Sequence, residues 1–197
     1  MMIKCILFDL GGVLVEFSDE EYIRYLSSMS HKDIKKGRKR LEFWWRRLYL
    51  GMIKVSFFEQ NIAKIFGIEK EQVRWIEFYE QRVKLDKKMV ALAKKLRKNY
   101  KIAFLSDIDF SHYDISLRIL DLKWFDYHFA SCYIKLRKPD PEVYRYVLKK
   151  IGLKPGEVIF IDNRLDNVLG ARSIGIRSIV FKGQKDLISR LKKLGVM

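Results

Sequence analysis

Residues 3–14 read IKCILFDLGGVL. The run from Ile3 to Phe8 is mostly apolar and β-favouring, it stops at the carboxylate of Asp9, and Gly11-Gly12 follow. That order predicts a short buried strand over 3–9 and a tight loop behind it. Four further runs repeat the pattern: 101–106 (KIAFLS), 127–132 (YHFASC), 157–161 (EVIFI) and 177–181 (RSIVF). Helical periodicity fills the gaps between them, over 87–98, 110–120, 140–151, 165–174 and 185–194. Short strands alternating with helices predict an α/β fold, a Rossmann-like parallel sheet with helices on both faces. Ligands in such sheets bind beyond the carboxyl ends of the strands. This singles out Asp9, Ser106 and Asp162, each at or just past a strand end.

Between residues 17 and 86 the alternation stops. Amphipathic helical segments occur at 19–29, 31–49, 55–66 and 69–84 with no convincing strand, and Gly51 and Gly67 are placed to end helices. The expected organisation is therefore a core of residues 1–16 and 87–197 with an inserted helical cap subdomain over 17–86. There is no internal repeat and no proline-rich linker; the prolines are Pro139, Pro141 and Pro155.

Composition bounds the remaining possibilities. With 49% hydrophobic and 14% aromatic residues in 197, the chain has ample material for a packed core, which excludes wholesale disorder. No long apolar run is present to span a membrane. Asp9 inside the N-terminal apolar stretch, with no small-residue cleavage site after it, argues against a secretory signal. Cys5 and Cys132 lie in apolar runs and read as buried free thiols, which suits a reducing cytoplasm. No HxxxH or CxxC spacing points to zinc, and His112 and His128 read as core or surface residues. A net charge of +16 invites a nucleic-acid partner. Many ionic and few amide side chains equally suit a heat-adapted surface.

Four segments, in order, resemble the haloacid dehalogenase-like (HAD) hydrolases over nearly the whole chain. They are the loop Phe8-Asp9-Leu10-Gly11-Gly12-Val13-Leu14, the strand ending at Ser106, the segment Arg137-Lys138-Pro139-Asp140-Pro141, and FIDNRLDNVLGA over 160–171. Asp9, Ser106, Lys138 and Asp162 follow one another at intervals of 97, 32 and 24 residues. The helical insert resembles the family's cap. The resemblance implies phosphoryl transfer through an aspartyl-phosphate. A carboxylate attacks an anionic phosphate poorly unless the repulsion is cancelled, so Mg²⁺, a lysine and backbone N–H donors are expected around the transferring group. On the matching positions, Asp9 is the nucleophile and a Mg²⁺ ligand, and Gly11 offers its carbonyl to the metal. Lys138 neutralises the phosphate and orients Asp9. Ser106, Asp107 and the Gly11-Gly12 backbone face the phosphate. Asp162, Asn163 and Asp166 complete an oxygen shell of the kind that a hard cation takes.

Three positions depart from the family pattern. Gly11 stands where its phosphatases usually carry a second Asp as general acid and base, assistance that is typically worth about 10²–10⁴-fold. Some members with a similar Asp-Leu-Gly-Gly loop are nevertheless sugar-phosphate phosphatases. Asn163 stands at a usual carboxylate ligand position. Asp107 stands where a neutral residue is usual, and a carboxylate there would repel phosphate or recruit a cation.

Simpler readings compete at each position. Ser106 and Asp107 suit a helix N-cap, Asp162 and Asp166 suit caps of the following helix, and Lys138 suits a solvated lysine. Residues 31–47 carry Lys32, Lys35, Lys36, Arg38, Lys39, Arg40, Arg46 and Arg47 against Asp33 and Glu42, with Trp44 and Trp45 among them. This is a solvated basic face with tryptophans turned inward, or a surface that steers a small anionic phosphorylated substrate toward Asp9. Nucleic acid ranks below both, since basic and aromatic residues interleave without a recognised binding module. The leading expectation is a Mg²⁺-dependent phosphatase of a small phosphomonoester. The alternatives are a 2-haloacid dehalogenase, whose fourth motif differs from Asp162-Asn163-Arg164, and a degenerate member that binds nucleic acid or protein.

Overall fold

The structure is a computed structural model that describes residues 2–30, 32, 34–121 and 124–197, with the backbone alone over 34–37. Five strands form a parallel sheet: β1 (Cys5–Phe8), β4 (Lys101–Ser106), β5 (Tyr127–Ala130), β6 (Val158–Asp162) and β7 (Arg177–Val180). Their spatial order is β5-β4-β1-β6-β7. Strand β1 is central, pairing with β4 on one side and β6 on the other. Every β1 residue is fully buried, because helices cover both faces. The period of two sorts them. Ile6 and Phe8 pack with Met89 and Leu92 of α5 (Lys87–Leu96), Ile115 of α6 (Phe110–Leu120), and Leu187 of α10 (Gln184–Lys193). Cys5 and Leu7 pack on the opposite face with Val143 and Val147 of α8 (Pro141–Ile151) and Ala171 of α9 (Leu165–Arg172). Both cysteines are buried free thiols.

The insert is helical: α1 (Asp19–Met29), α2 (Ile34–Tyr49), α3 (Val55–Phe66) and α4 (Trp75–Arg82). It has its own core, in which Trp75 meets Tyr22, Leu41, Trp45, Phe58 and Phe78. Gly67 caps α3 in the left-handed region (φ 66°), and Gly51 follows α2 at φ 60°. Where one helix is expected over 69–84, a 3₁₀ turn at Lys70–Gln72 precedes α4, and the chain breaks at Arg74 (φ 45°). A short antiparallel pair, β2 (Val15–Glu16) with β3 (Lys84–Leu85), joins the two ends of the insert. Its strands are two residues each, too short for a period-two signal in the sequence. The run at 127–132 also ends early as a strand, turning into the short helix α7 (Ser131–Ile134). Among the described residues, no helix is long and apolar enough to cross a membrane.

Buried polar contacts bolt the cap to the core. Trp75 Nε1 donates to Asp109 Oδ2 (3.0 Å), and Asp109 also caps α6 by accepting from Ser111 N and His112 N. The His112 ring stacks between Trp75 (4.4 Å) and Tyr79 (3.8 Å). Burial holds the His112 pKa below its ordinary value against the pull of Asp109. Ser131 Oγ donates to the Tyr49 carbonyl (2.6 Å), and Tyr79 Oη shares a 2.8 Å bond with Ser116 Oγ.

The Lys138-Pro139-Asp140-Pro141 segment starts α8 for local reasons. Asp140 accepts from Glu142 N at the N-cap, and Pro141 occupies the first helical turn, where its missing N–H costs nothing. Helix α9 presses on the same segment through Gly170, where an added Cβ would lie 2.2 Å from the Pro139 carbonyl oxygen. Ala is intrinsically better than Gly in a helix by about 1 kcal/mol, but this overlap with backbone outweighs it. Gly170→Ala is expected to destabilise the fold by about 1–3 kcal/mol in urea denaturation. Gly11→Ala, with nothing within 4 Å of its Cβ, is expected to change stability by less than about 0.5 kcal/mol. Equal effects would contradict the packing.

Candidate active site

Strands β1, β4 and β6 deliver Asp9, Ser106 and Asp162 to one edge of the sheet, at the point where neighbours depart to opposite sides. The loop before α8 brings Lys138 between the carboxylates. Its Nζ lies 2.8 Å from Asp9 Oδ1 and 2.7 Å from Asp162 Oδ2. Asp9, Lys138 and Asp162 are all buried. Asp9 is pinned further by its own N–H, which donates to the Ile161 carbonyl, and by Leu10 N, which donates to Asp9 Oδ1 at 2.7 Å. Burial raises the Asp9 carboxyl above its usual range, against Lys138, and the Asp162 charge adds to the rise. Burial alone would lower Lys138, but the surrounding carboxylates Asp162, Asp9 and Asp107 outweigh it and hold the ammonium charged.

After Asp9 the chain turns sharply, with Val13, Leu14 and Val15 N–H groups all donating to the Leu10 carbonyl. Gly12 takes φ 73°, and the Asn163 amide crosses so close that a Cβ on Gly12 would meet it at 2.2 Å. Gly12 is thus required by the turn and by Asn163, which the fold brings against the Asp9 loop. Gly11 lines the cavity beside it.

Asp107, expected at the phosphate, is otherwise engaged. Its Oδ1 accepts from Lys138 N (3.0 Å) and its Oδ2 from Arg137 Nε (3.2 Å). The carboxylate holds the lysine-bearing loop, and Asp107 lines the cavity beside Ser106. Neither Ser106 nor Asp107 caps a helix, since Asp109 does so. Ser106 is buried at the end of β4 and lines the cavity.

Asp166, expected in the metal shell, lies outside the cavity lining, and its carboxylate is bound by Arg164 at 2.8 Å and 3.2 Å. Helix α9 begins at Leu165, and that start turns Asn167 toward the site in its place. Asn167 Nδ2 donates to both Asp162 oxygens (3.1 and 3.0 Å), and Arg164 N donates to Oδ1 (2.8 Å).

Above these groups lies a cavity of about 550 Å³. The core floor contributes Asp9, Gly11, Ser106, Lys138 and Asn163, and the chain entering the cap contributes Phe17, Ser18, Asp19, Arg38, Tyr49 and Tyr79. Tyr49 Oη donates to Asp19 Oδ1 at 3.2 Å. Of the basic stretch, Arg38 reaches the cavity and pairs with Glu20. Lys39, Arg40 and Arg46 are exposed, and Arg47 lies 3.6 Å over the Phe43 ring. Trp45 is buried, while half-buried Trp44 packs on Phe43 and Phe57. Asp33 and the side chains of Lys35 and Lys36 lie outside the described residues. His112 sits at the cavity wall within the cap–core contact, and His128 stacks on Phe104 in β5. Sequence reading missed Asp19, Tyr49, Arg137 and Asn167. The last two lay inside quoted motifs without a role.

Among the described residues, no three His, Cys, Asp or Glu side chains are grouped as a metal site. The donor set nonetheless suits Mg²⁺, which binds through one or two carboxylates and keeps several waters. Asp9 and Asp162 are two buried carboxylates with one ammonium between them, and Gly11 and Asn163 line the cavity with Asp9.

A buried carboxylate at the switch point of a parallel sheet, under a helical cap, is the arrangement of a capped Rossmann-like hydrolase. A family model for haloacid dehalogenase-like hydrolases matches residues 3–175, and the chain belongs to that family. It is 30% identical over 199 aligned positions to drimenol cyclase drtB of Aspergillus calidoustus, which covers 96% of this chain. The chain spans only 36% of that cyclase's length. It is 28% identical to sesquiterpene phosphatase astK of Aspergillus oryzae, over 88% of this chain and 87% of that protein. A HAD family enzyme of Bacteroides thetaiotaomicron shares the fold at TM-score 0.81 and 23% identity, over 97% of this chain and 99% of that one. Another structure of that enzyme holds magnesium and inorganic phosphate.

The Asp107 contacts give a test. Asp107→Asn keeps an acceptor for the Lys138 N–H, and Asp107→Ala keeps none. The alanine variant is expected to lose about 1–3 kcal/mol of transition-state stabilisation, roughly 5–150-fold in kcat/KM on an aryl phosphate, with the asparagine variant close to wild type. A lower KM in both variants would mean that the carboxylate repels phosphate.

Proposed function

We propose that this enzyme is a Mg²⁺-dependent phosphatase that hydrolyses a small phosphomonoester through phosphorylation of Asp9. The observation that carries this reading is the buried Asp9 carboxylate held 2.8 Å from the Lys138 ammonium at the floor of the cavity. Lys138 cancels the charge that would otherwise hold a phosphate away, and the Asp107 clamp fixes where that cancellation occurs. Asp9 Oδ attacks phosphorus as the P–O bond to the leaving alcohol breaks. Ser106 Oγ and the Gly11 N–H receive the phosphoryl oxygens, since the Gly12 N–H is already donated to the Val15 carbonyl at 2.8 Å. Water then cleaves the Asp9–phosphate bond. Asp9 and Asp162, with the oxygens of Gly11 and Asn163, would hold Mg²⁺, which would supply further neutralisation of phosphoryl charge. Asp162 also places Lys138, through its 2.7 Å contact.

The phosphatase among the relatives supports the phosphomonoester class. Phe17, Tyr79 and Ile108 on the cavity wall suit a phosphate carried on an apolar or ring-bearing body. Arg38 at the cavity, with the exposed Lys39, Arg40 and Arg46 behind it, favours approach of an anion.

The test is phosphate release from an aryl phosphate, with and without Mg²⁺, for wild type and Asp9→Asn. The expected result is Mg²⁺-dependent turnover that falls at least about 10³-fold in Asp9→Asn. Chloride release from 2-chloropropionate in EDTA, with no phosphate release, would assign the dehalogenase reaction instead.

A further inference from the structure

Gly11 leaves the reaction without a proton donor. On the phosphatase reading above, the group that leaves phosphorus needs a proton and the water that attacks the phosphorylated enzyme must lose one. Most titratable groups around the cavity are committed elsewhere. Asp107 is held by Lys138 N and Arg137. Glu20 is exposed and paired with Arg38. His112 is 2% exposed, with both ring nitrogens placed against Asp109 and the Trp75 carbonyl. Tyr79 is bonded to Ser116.

Asp19 differs. It is the first residue of α1 and part-buried. Its Oδ1 accepts from Tyr49 Oη at 3.2 Å, and among the described residues its Oδ2 carries no hydrogen bond. It lines the same cavity as Asp9, from the cap side, next to Phe17. Tyr49 is itself fixed to the core, since Ser131 donates to its carbonyl at 2.6 Å. The carboxyl therefore lines the cavity with a hydrogen bond from a residue whose backbone is tied to the core.

We propose that Asp19 is the general acid and base of this enzyme, placed on the cap in compensation for the glycine at position 11. In the first half-reaction the Asp9 Oδ–P bond forms and the P–O bond to the leaving group breaks. The Asp19 proton goes to the departing oxygen, which leaves as an alcohol. In the second, the water O–P bond forms and the Asp9–P bond breaks. The water proton goes to Asp19, restoring both carboxyls. Burial raises the Asp19 carboxyl above its ordinary value, while the Tyr49 hydrogen bond, Arg164 and Arg137 oppose the rise and Asp107 adds to it. The direction suits an acid that must hold its proton until the leaving oxygen takes it.

The donor works only when protonated, so kcat/KM for an alkyl phosphate falls as pH rises through the Asp19 pKa. An aryl leaving group barely needs the proton and escapes that limb.

The experiment compares kcat/KM on glycerol phosphate and on p-nitrophenyl phosphate, each with Mg²⁺, for wild type, Asp19→Asn and Asp9→Asn. Asp19→Asn is expected to raise the aryl-to-alkyl ratio of kcat/KM by about 10²-fold or more, and to remove the high-pH limb seen only with the alkyl ester. An equal fall on both substrates would mark Asp19 as merely structural, and an unchanged ratio would likewise overturn the assignment. Failure of the phosphatase reading looks different: Asp9→Asn would then turn over p-nitrophenyl phosphate as fast as wild type.

Discussion

The Lys138 ammonium is buried between two buried carboxylates, and the geometry around it follows from that pairing. A buried charge without a partner is strongly unfavourable, and removal of one member of such a group typically costs about 3–5 kcal/mol. Asp9, Lys138 and Asp162 come from the end of β1, the loop before α8 and the end of β6. Their mutual contacts at 2.8 and 2.7 Å tie three otherwise separate segments to one point. The supporting contacts reinforce this. Asp107 fixes the lysine backbone, Asn167 and Arg164 N donate to Asp162, and Gly170 lets α9 approach Pro139 closely. One ammonium thus serves two carboxylates on the floor of the cavity.

The cap adds what the core lacks. It has an aromatic core of its own around Trp75, and the same tryptophan reaches out to Asp109 and His112 of the core. Since Asp109 also caps α6, the contact between the two units is built into the start of a core helix. Tyr49 and Asp19 of the insert line the same cavity as Asp9 of the core.

Much of this was legible in the sequence because it is local. Short apolar runs ending in Asp9, Ser106 and Asp162 report strand ends, and Pro139-Asp140-Pro141 reports a helix start. The basic stretch of the insert sorted by the same local rule, with Trp45 inside and Lys39, Arg40 and Arg46 outside. What stayed hidden depends on contacts across the chain or on one-residue precision. The part of Asp107 in holding the Lys138 loop rests on partners 30 and 31 residues away. Asp166 pairs with Arg164 while its neighbour Asn167 bonds Asp162, a division between adjacent residues that the sequence pattern does not resolve. The β2–β3 pair is too short for any periodic signal. Asp19 looks like one of three acids in a first helical turn, Asp19, Glu20 and Glu21, and only tertiary packing sets it apart.

The central claim is that Asp9 carries the phosphoryl group. The most direct measurement is acid quench of the Mg²⁺ enzyme during turnover of a ³²P-labelled phosphomonoester, followed by peptide mapping. The account predicts a hydroxylamine-sensitive label on Asp9. Turnover with no covalent label, or with a label on any other residue, would contradict it.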